Sequence, residues 1–192
     1  MSRGAPTVHP AKYVTVCFLG VQGVGKSSLV NAFFNNQFAT EEERMSESKY
    51  ENVTHNGHQF DVEYRDPTDF ERTSTASFYN KAAMTVMVFA IDHEESLNRQ
   101  KETSSYAERF MSVVPLRLCV ATKSDITNGA LPDDVIQSHI ASLGCSEYLR
   151  VSTATGEGVR QLHDRIIAEL YEKYFVEEPQ PKKKKAGGCL LL

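Results

Sequence analysis

The sequence predicts an α/β fold, with a mostly parallel sheet of six strands, one antiparallel edge hairpin, and helices on both faces. Three observations predict it. Short β-branched and aromatic runs alternate along the chain with stretches whose apolar residues recur at helical spacing. The longest nearly apolar run, 84–91, lacks a polar face, as a strand covered on both sides should. Finally, Asn56-Gly57 joins two strand-like runs, and this dipeptide accepts the positive φ angles of a tight hairpin turn.

The elements follow in order. A run over 13–19 stops at Gly20, and residues 27–38 carry helical spacing, giving strand, glycine loop and helix. Runs 49–54 and 59–65 flank Asn56-Gly57 and should pair antiparallel. Strands over 84–91, 116–121 and 148–151 alternate with helical stretches near 94–110, 132–142 and 157–175. Pro132 followed by Asp133 and Asp134 starts a helix well, because proline at the first turn forfeits only an orphan donor and the acids suit the helix dipole. This places one folded domain over 13–176, a flexible N-terminal arm over 1–12 and a C-terminal tether over 177–192, rich in proline, lysine and glycine.

Removing the four positive charges of Lys182, Lys183, Lys184 and Lys185 from a formal net charge of −4 leaves −8, so the body is acidic and the tail basic. An acidic body argues against a nucleic-acid face, whereas a short basic tail suits an anionic membrane. Cys17, Cys119, Cys145 and Cys189 form no C-x-x-C pair and no leader segment is recognised, so a reducing cytosol is the expected setting. The apolar run at 84–91 is far shorter than the ~20 residues of a membrane span.

Gly20-Val21-Gln22-Gly23-Val24-Gly25-Lys26-Ser27 satisfies G-x-x-x-x-G-K-[ST] between a predicted strand and helix, which points to a P-loop NTPase fold. Gly20, Gly23, Val24, Gly25, Lys26, Ser27 and Ser28 are the expected phosphate-binding residues. Successive backbone N–H groups converge on phosphate oxygens at a helix N-terminus, Lys26 supplies a point charge, and the Ser27 hydroxyl can ligate magnesium. A phosphate loop alone does not choose between ATP and GTP. Thr122-Lys123-Ser124-Asp125 follows a predicted strand at the carboxyl edge of the sheet, where α/β folds bind ligands. The Asp125 carboxylate can accept from both N1–H and the amino group of guanine, a pair that adenine does not offer. A solvated turn would have the same composition, so this segment taken alone leaves both readings open.

The chain ends Cys189-Leu190-Leu191-Leu192, a C-a-a-X box whose last leucine favours geranylgeranyl over farnesyl at Cys189. A single lipid binds marginally, and four lysines at about 1 kcal/mol each beside an anionic surface supply the second signal. Nuclear import is the alternative reading of the lysines.

With these residues assembled, the chain resembles the small GTPases of the Ras superfamily over 13–175 and in the tail. Thr122-Lys123-x-Asp125 is similar to the threonine variant of the family's guanine motif, as in Rho-type members. Val88-Phe89-Ala90-Ile91 looks Ras-like. No Rho-type extra helix follows Asp125, so a Ras/Rho-like branch is expected without a choice between the two. The resemblance implies an aromatic beside the base at Phe38 and a backbone contact to guanine from Ser152-Thr153-Ala154, where the family has Ser-Ala-Lys. It also implies that Asp66 holds Mg2+ through water, together with Ser27, and that GTP and GDP are the nucleotides.

The departures from the family cluster around the γ-phosphate. Where the family has Asp-x-x-Gly-Gln, this chain has Asp66-Pro67-Thr68-Asp69-Phe70, without the glycine that meets the γ-phosphate or the glutamine that orients water. Gln22 stands where Ras has glycine and should crowd an incoming arginine. Glu41 to Ser46 lacks the usual magnesium threonine, leaving only Ser46 with a hydroxyl nearby. The expectation is therefore a monomeric, prenyl-anchored protein on the cytoplasmic face of the plasma membrane or an endomembrane. It binds GTP or GDP and hydrolyses slowly or not at all, with an effector, an exchange factor and an activating protein as partners. A competent GTPase using another water-positioning residue and a nucleotide-locked scaffold are the alternatives.

Overall fold

The computed structural model describes residues 12–35, 48–66 and 78–177. Strand β1 (Lys12–Leu19) is followed through the glycine loop by α1 (Lys26–Asn35). The hairpin is β2 (Ser48–His55) and β3 (His58–Arg65), turning through Asn56 at φ 48° and Gly57 at φ 78°. Both turn residues adopt positive φ, the conformation this dipeptide accepts most readily. The chain continues through β4 (Ala82–Ala90), α2 (Glu94–Asn98), α3 (Gln100–Glu108), β5 (Leu116–Thr122), α4 (Asp133–Ser142), β6 (Tyr148–Arg150) and α5 (Val159–Tyr171). A wider π-helical turn, Glu172–Glu177, extends α5.

The six strands lie in the order β2-β3-β1-β4-β5-β6. Only β2 and β3 pair antiparallel, from Ser48 opposite Arg65 to His55 opposite His58; the other pairings are parallel. This is the mixed α/β sheet with an edge hairpin that the sequence predicts. All nine residues of β4 are buried, which explains its lack of a polar face. On one side, α1 and α5 cover a core built from Val14, Val16 and Phe18 of β1 and Val86 and Val88 of β4. On the other, α2 and α4 pack Leu97, Ile136 and Ile140 against Met87 and Phe89, while Ala107 of α3 meets Leu19.

Two predicted helices differ from the structure in detail. The stretch read as one helix near 94–110 is two, divided at Arg99. The hydrogen bonds Arg99 N to Glu95 O and Thr103 N to Arg99 O persist across the break at 3.0 Å, but Arg99 has ψ −6°, which turns the axis. Helix α5 begins at Val159 rather than near 157, because Gly158 takes φ 71° in the left-handed region. A Cβ there would lie 2.2 Å from the Arg150 carbonyl, so only glycine lets the helix start this close to β6. No helix among the described residues is long and apolar enough to cross a membrane.

Candidate functional site

The carboxyl ends of β1, β4 and β5 converge on one edge, and the glycine loop closes over it. A Cβ at Gly20 would sit 2.2 Å from the Val88 carbonyl of β4, so the loop can leave β1 this tightly only without a side chain. Gly23 and Gly25 adopt φ 82° and 95°, which turn the loop back toward the N-terminus of α1. Val24 is buried beneath the loop, and Gln22 is exposed at its tip.

Lys26 lies within this loop. Its ammonium donates to the carbonyls of Gly20 at 2.9 Å and Val21 at 3.1 Å, spanning the turn from inside. Burial lowers its pKa, and the nearby Asp66 carboxylate partly offsets that. Asp66 follows β3 and is itself buried. Burial raises its pKa, opposed by a hydrogen bond from Ser27 and by the charge of Lys26. Its Oδ1 is buried and has no hydrogen-bond partner. An orphaned carboxylate oxygen beside a serine hydroxyl is a hard, anionic donor set, and it fits a magnesium ion.

The second half of the site comes from β5. The Thr122 hydroxyl lies 2.6 Å from the Val24 carbonyl and 3.0 Å from that of Phe89, so it bridges the base-side loop to the phosphate loop and to β4. Lys123 takes φ 59°, which reverses the chain, and its ammonium meets Asp92 at 3.4 Å. The exposed Asp125 accepts a 2.6 Å hydrogen bond from Ser152 Oγ. Ser152 is fixed in turn: its N–H donates to Glu157 O at 2.9 Å, and its Oγ accepts from Thr155 N–H at 3.2 Å. Ser124 N–H donates to Val151 O at 3.1 Å, joining the two loops through the backbone as well.

The structure therefore brings Gly20, Gly23, Val24, Gly25, Lys26, Ser27, Ser28 and Asp66 together at one end of this edge. Thr122, Lys123, Asp125 and the turn of Ser152, Thr153 and Ala154 lie beside them, with Thr122 as the direct link. Phe38, Ser46, Asp69, Phe70, Lys182 to Lys185 and Cys189 lie outside the described residues.

Sequence reasoning missed three supporting residues. Asp92 holds Lys123, Ser96 Oγ accepts from Ala90 N–H at 3.0 Å, and Gln100 Nε2 donates to Val88 O at 2.5 Å. Asp92 lies just past the carboxyl end of β4, where the strand-end rule would have directed attention. The other two read as ordinary polar positions of a helix.

The family model described as Ras matches residues 15–172. Among similar proteins, Ras-related protein RABD2a of Arabidopsis thaliana is 28% identical over 162 residues, covering 81% of this chain and 78% of that one. Ras-related protein RabG2 of Dictyostelium discoideum is 26% identical over 165 residues, covering 83% of each. With a family match spanning both halves of the site, the chain belongs to the Ras family of small GTPases, which bind guanine nucleotide with magnesium.

Proposed function

We propose that this protein is a membrane-anchored guanine-nucleotide switch that hydrolyses GTP slowly or not at all. The observation that carries the proposal is the sequence after Asp66. The magnesium-side acid is retained, whereas Asp69 and Phe70 stand where the family has glycine and glutamine.

The chain's own residues divide the work. Backbone N–H groups of 23–28 and the Lys26 ammonium hold the phosphates, Ser27 and Asp66 hold magnesium, and Asp125 selects guanine. Phe38 and the turn of Ser152, Thr153 and Ala154 complete the base pocket. Magnesium supplies charge compensation on the phosphate oxygens when bound. No glutamine follows to orient water, Asp69 adds a like charge at the position the family gives to glycine, and Gln22 should crowd an incoming arginine. Cys189 and the four lysines serve as a two-part membrane tether on a cytoplasmic surface. Effectors and an exchange factor are the partners this reading requires. The threonine form of the guanine motif favours the Ras/Rho-like side of the family.

Single-turnover phosphate release beside an intact Ras-family protein tests the proposal. A rate equal to the intact protein's removes the slow-hydrolysis reading. Cys189→Ser should move the protein from membrane to soluble fractions, and retention of that variant on membranes would remove the anchor.

A further inference from the structure

We propose that the sheet edge opposite the nucleotide site is a second membrane contact. In it, the loop carrying Val113 and Val114 enters an anionic lipid headgroup layer, and Lys81, Arg109 and Lys173 pair with that layer. The proposal rests on the tail-anchor reading above, because the tail is what brings this edge to a surface.

The parallel strands begin together at this edge, β1 at Lys12, β4 at Ala82 and β5 at Leu116. Helix α3 returns to it from the nucleotide edge, and the loop 109–115 then crosses to β5. The crossing is pinned on both sides. Ser112 donates twice to the Asn80 carbonyl, from N–H at 3.3 Å and from Oγ at 2.7 Å, which ties the loop to the residues just ahead of β4. On the other side the Lys173 ammonium, in the π-helical turn, donates to the Val114 carbonyl at 3.4 Å. Pro115 is buried, yet the two residues before it stay in solvent, Val113 at 55% exposure and Val114 at 78%. Val176, one turn on from Lys173, is exposed as well. Single exposed apolar residues are ordinary, but adjacent ones fixed in place by hydrogen bonds form a patch, and a patch marks an interaction surface.

Charge identifies the partner. Lys81 follows the Asn80 that holds the loop, Arg109 opens the loop, and Lys173 touches it, so cations flank the valines. Of the acids nearby, Glu108 is paired with Arg117 at 2.6 Å, leaving the exposed Glu172. The body as a whole is acidic, which makes this basic rim a local feature. An apolar tip with basic flanks matches an anionic bilayer surface: the valines reach the acyl boundary while the long cationic side chains stay at the level of the phosphates. The path of the chain supports the same partner. The described residues end at 177, in the π-helical turn that holds the loop, and Cys189 lies 12 residues further on. That length reaches at most about 40 Å, so a lipid at Cys189 keeps this edge, and not the nucleotide edge, next to the surface. A patch of so few residues binds reversibly, and the body docks and lifts while the tail holds it.

The chain has no tryptophan, so Val114→Trp in the full-length prenylated protein puts a single reporter on the loop, and Asn128→Trp puts one beyond β5 at the nucleotide edge. Both positions are exposed. On vesicles of phosphatidylcholine and phosphatidylserine brominated in their acyl chains, the Val114→Trp emission should shift to the blue and be quenched, and that of Asn128→Trp should not change. Val113→Ser with Val114→Ser should lower partition to the same vesicles about ten-fold. Lys81→Gln with Lys173→Gln should reduce the gain that phosphatidylserine gives over pure phosphatidylcholine by about five-fold per lysine. Equal emission changes at the two tryptophan positions, or partition untouched by the serine pair, overturns the lipid contact and leaves this face to a protein partner. Mass spectrometry finding Cys189 without a lipid would instead count against the anchor. Coupling Cys189 to a maleimide lipid then supplies the tether, since Cys17, Cys119 and Cys145 are buried, and the same quenching decides the contact.

Discussion

The Thr122 hydroxyl donates across 2.6 Å to the carbonyl of Val24, so a residue of the base-side strand holds the phosphate loop in place. Both groups are buried, and water cannot replace the bond. In Thr122→Val the side chain keeps its volume and loses its proton, leaving the Val24 carbonyl unpaired at about 1–3 kcal/mol. We expect roughly ten-fold faster release of GDP with little change in base preference, measured by fluorescence decay after dilution. Unchanged release would mean that the loop holds its shape without this bridge.

The proposed function gives the base preference to Asp125, whose carboxylate accepts the Ser152 hydroxyl hydrogen bond. Asp125→Asn should lower GTP affinity and raise that for xanthosine triphosphate, because the amide now donates where the 2-oxo group accepts. A competition titration with ATP, GTP and XTP reads both changes. Equal affinity of the unmodified protein for ATP and GTP would remove Asp125 from this role.

Hydrolysis should respond to Asp69 and Phe70 as a pair. Phe70→Gln alone keeps the Asp69 carboxylate in place of the family's glycine, and a gain below about three-fold is expected. Asp69→Gly with Phe70→Gln removes that charge and restores the missing groups together, with a gain on the order of 10²-fold in single-turnover phosphate release. Full recovery by Phe70→Gln alone would show that Asp69 does not oppose the reaction.

Acid stability should depend on Glu51. Burial alone would raise this carboxyl, but hydrogen bonds from His163 at 2.8 Å and Tyr64 at 2.9 Å hold it below the ordinary glutamate range. A carboxylate whose folded-state pKa is depressed stabilises the protein above its unfolded pKa, and the contribution is lost as pH falls through the folded value. Glu51→Gln should therefore lower stability near neutrality by about 1 kcal/mol, and its melting temperature should fall less steeply than the parent's below about pH 4.5. Parallel acid limbs in thermal melts would show that the pair contributes nothing to folding.

Much of the fold was legible because its signals are local. Asn56-Gly57 marks a turn by its own backbone preference, and the 84–91 run marks a central strand by its composition. The division at Arg99 was not legible, since one altered ψ leaves the helical spacing on either side intact. Nor was Gly158, whose requirement comes from a carbonyl eight residues earlier on β6. At the site, spacing singled out Lys26, Ser27 and Asp125, which the structure brings to one edge of the sheet. It could not identify the residues that hold those groups. Thr122 was read as part of a base motif, yet its hydroxyl faces the phosphate loop. Ser152 was read only as part of a backbone contact to guanine, yet its hydroxyl meets Asp125, and Asp92, which meets Lys123, was not singled out.

The π-helical turn after α5 packs against the first residue of the sheet: the Lys12 ammonium lies 4.4 Å from the Tyr174 ring centroid and donates to the Tyr174 carbonyl. Lys12 opens β1 and Gly20 closes it, so the exit of the chain at 177 and the phosphate loop stand at opposite ends of a strand roughly 26 Å long. A body held by its C-terminus therefore points its nucleotide edge away from the point of attachment. Exchange factors and effectors could then approach from the open solvent, and the length of the linker would set how far above a surface they must meet it.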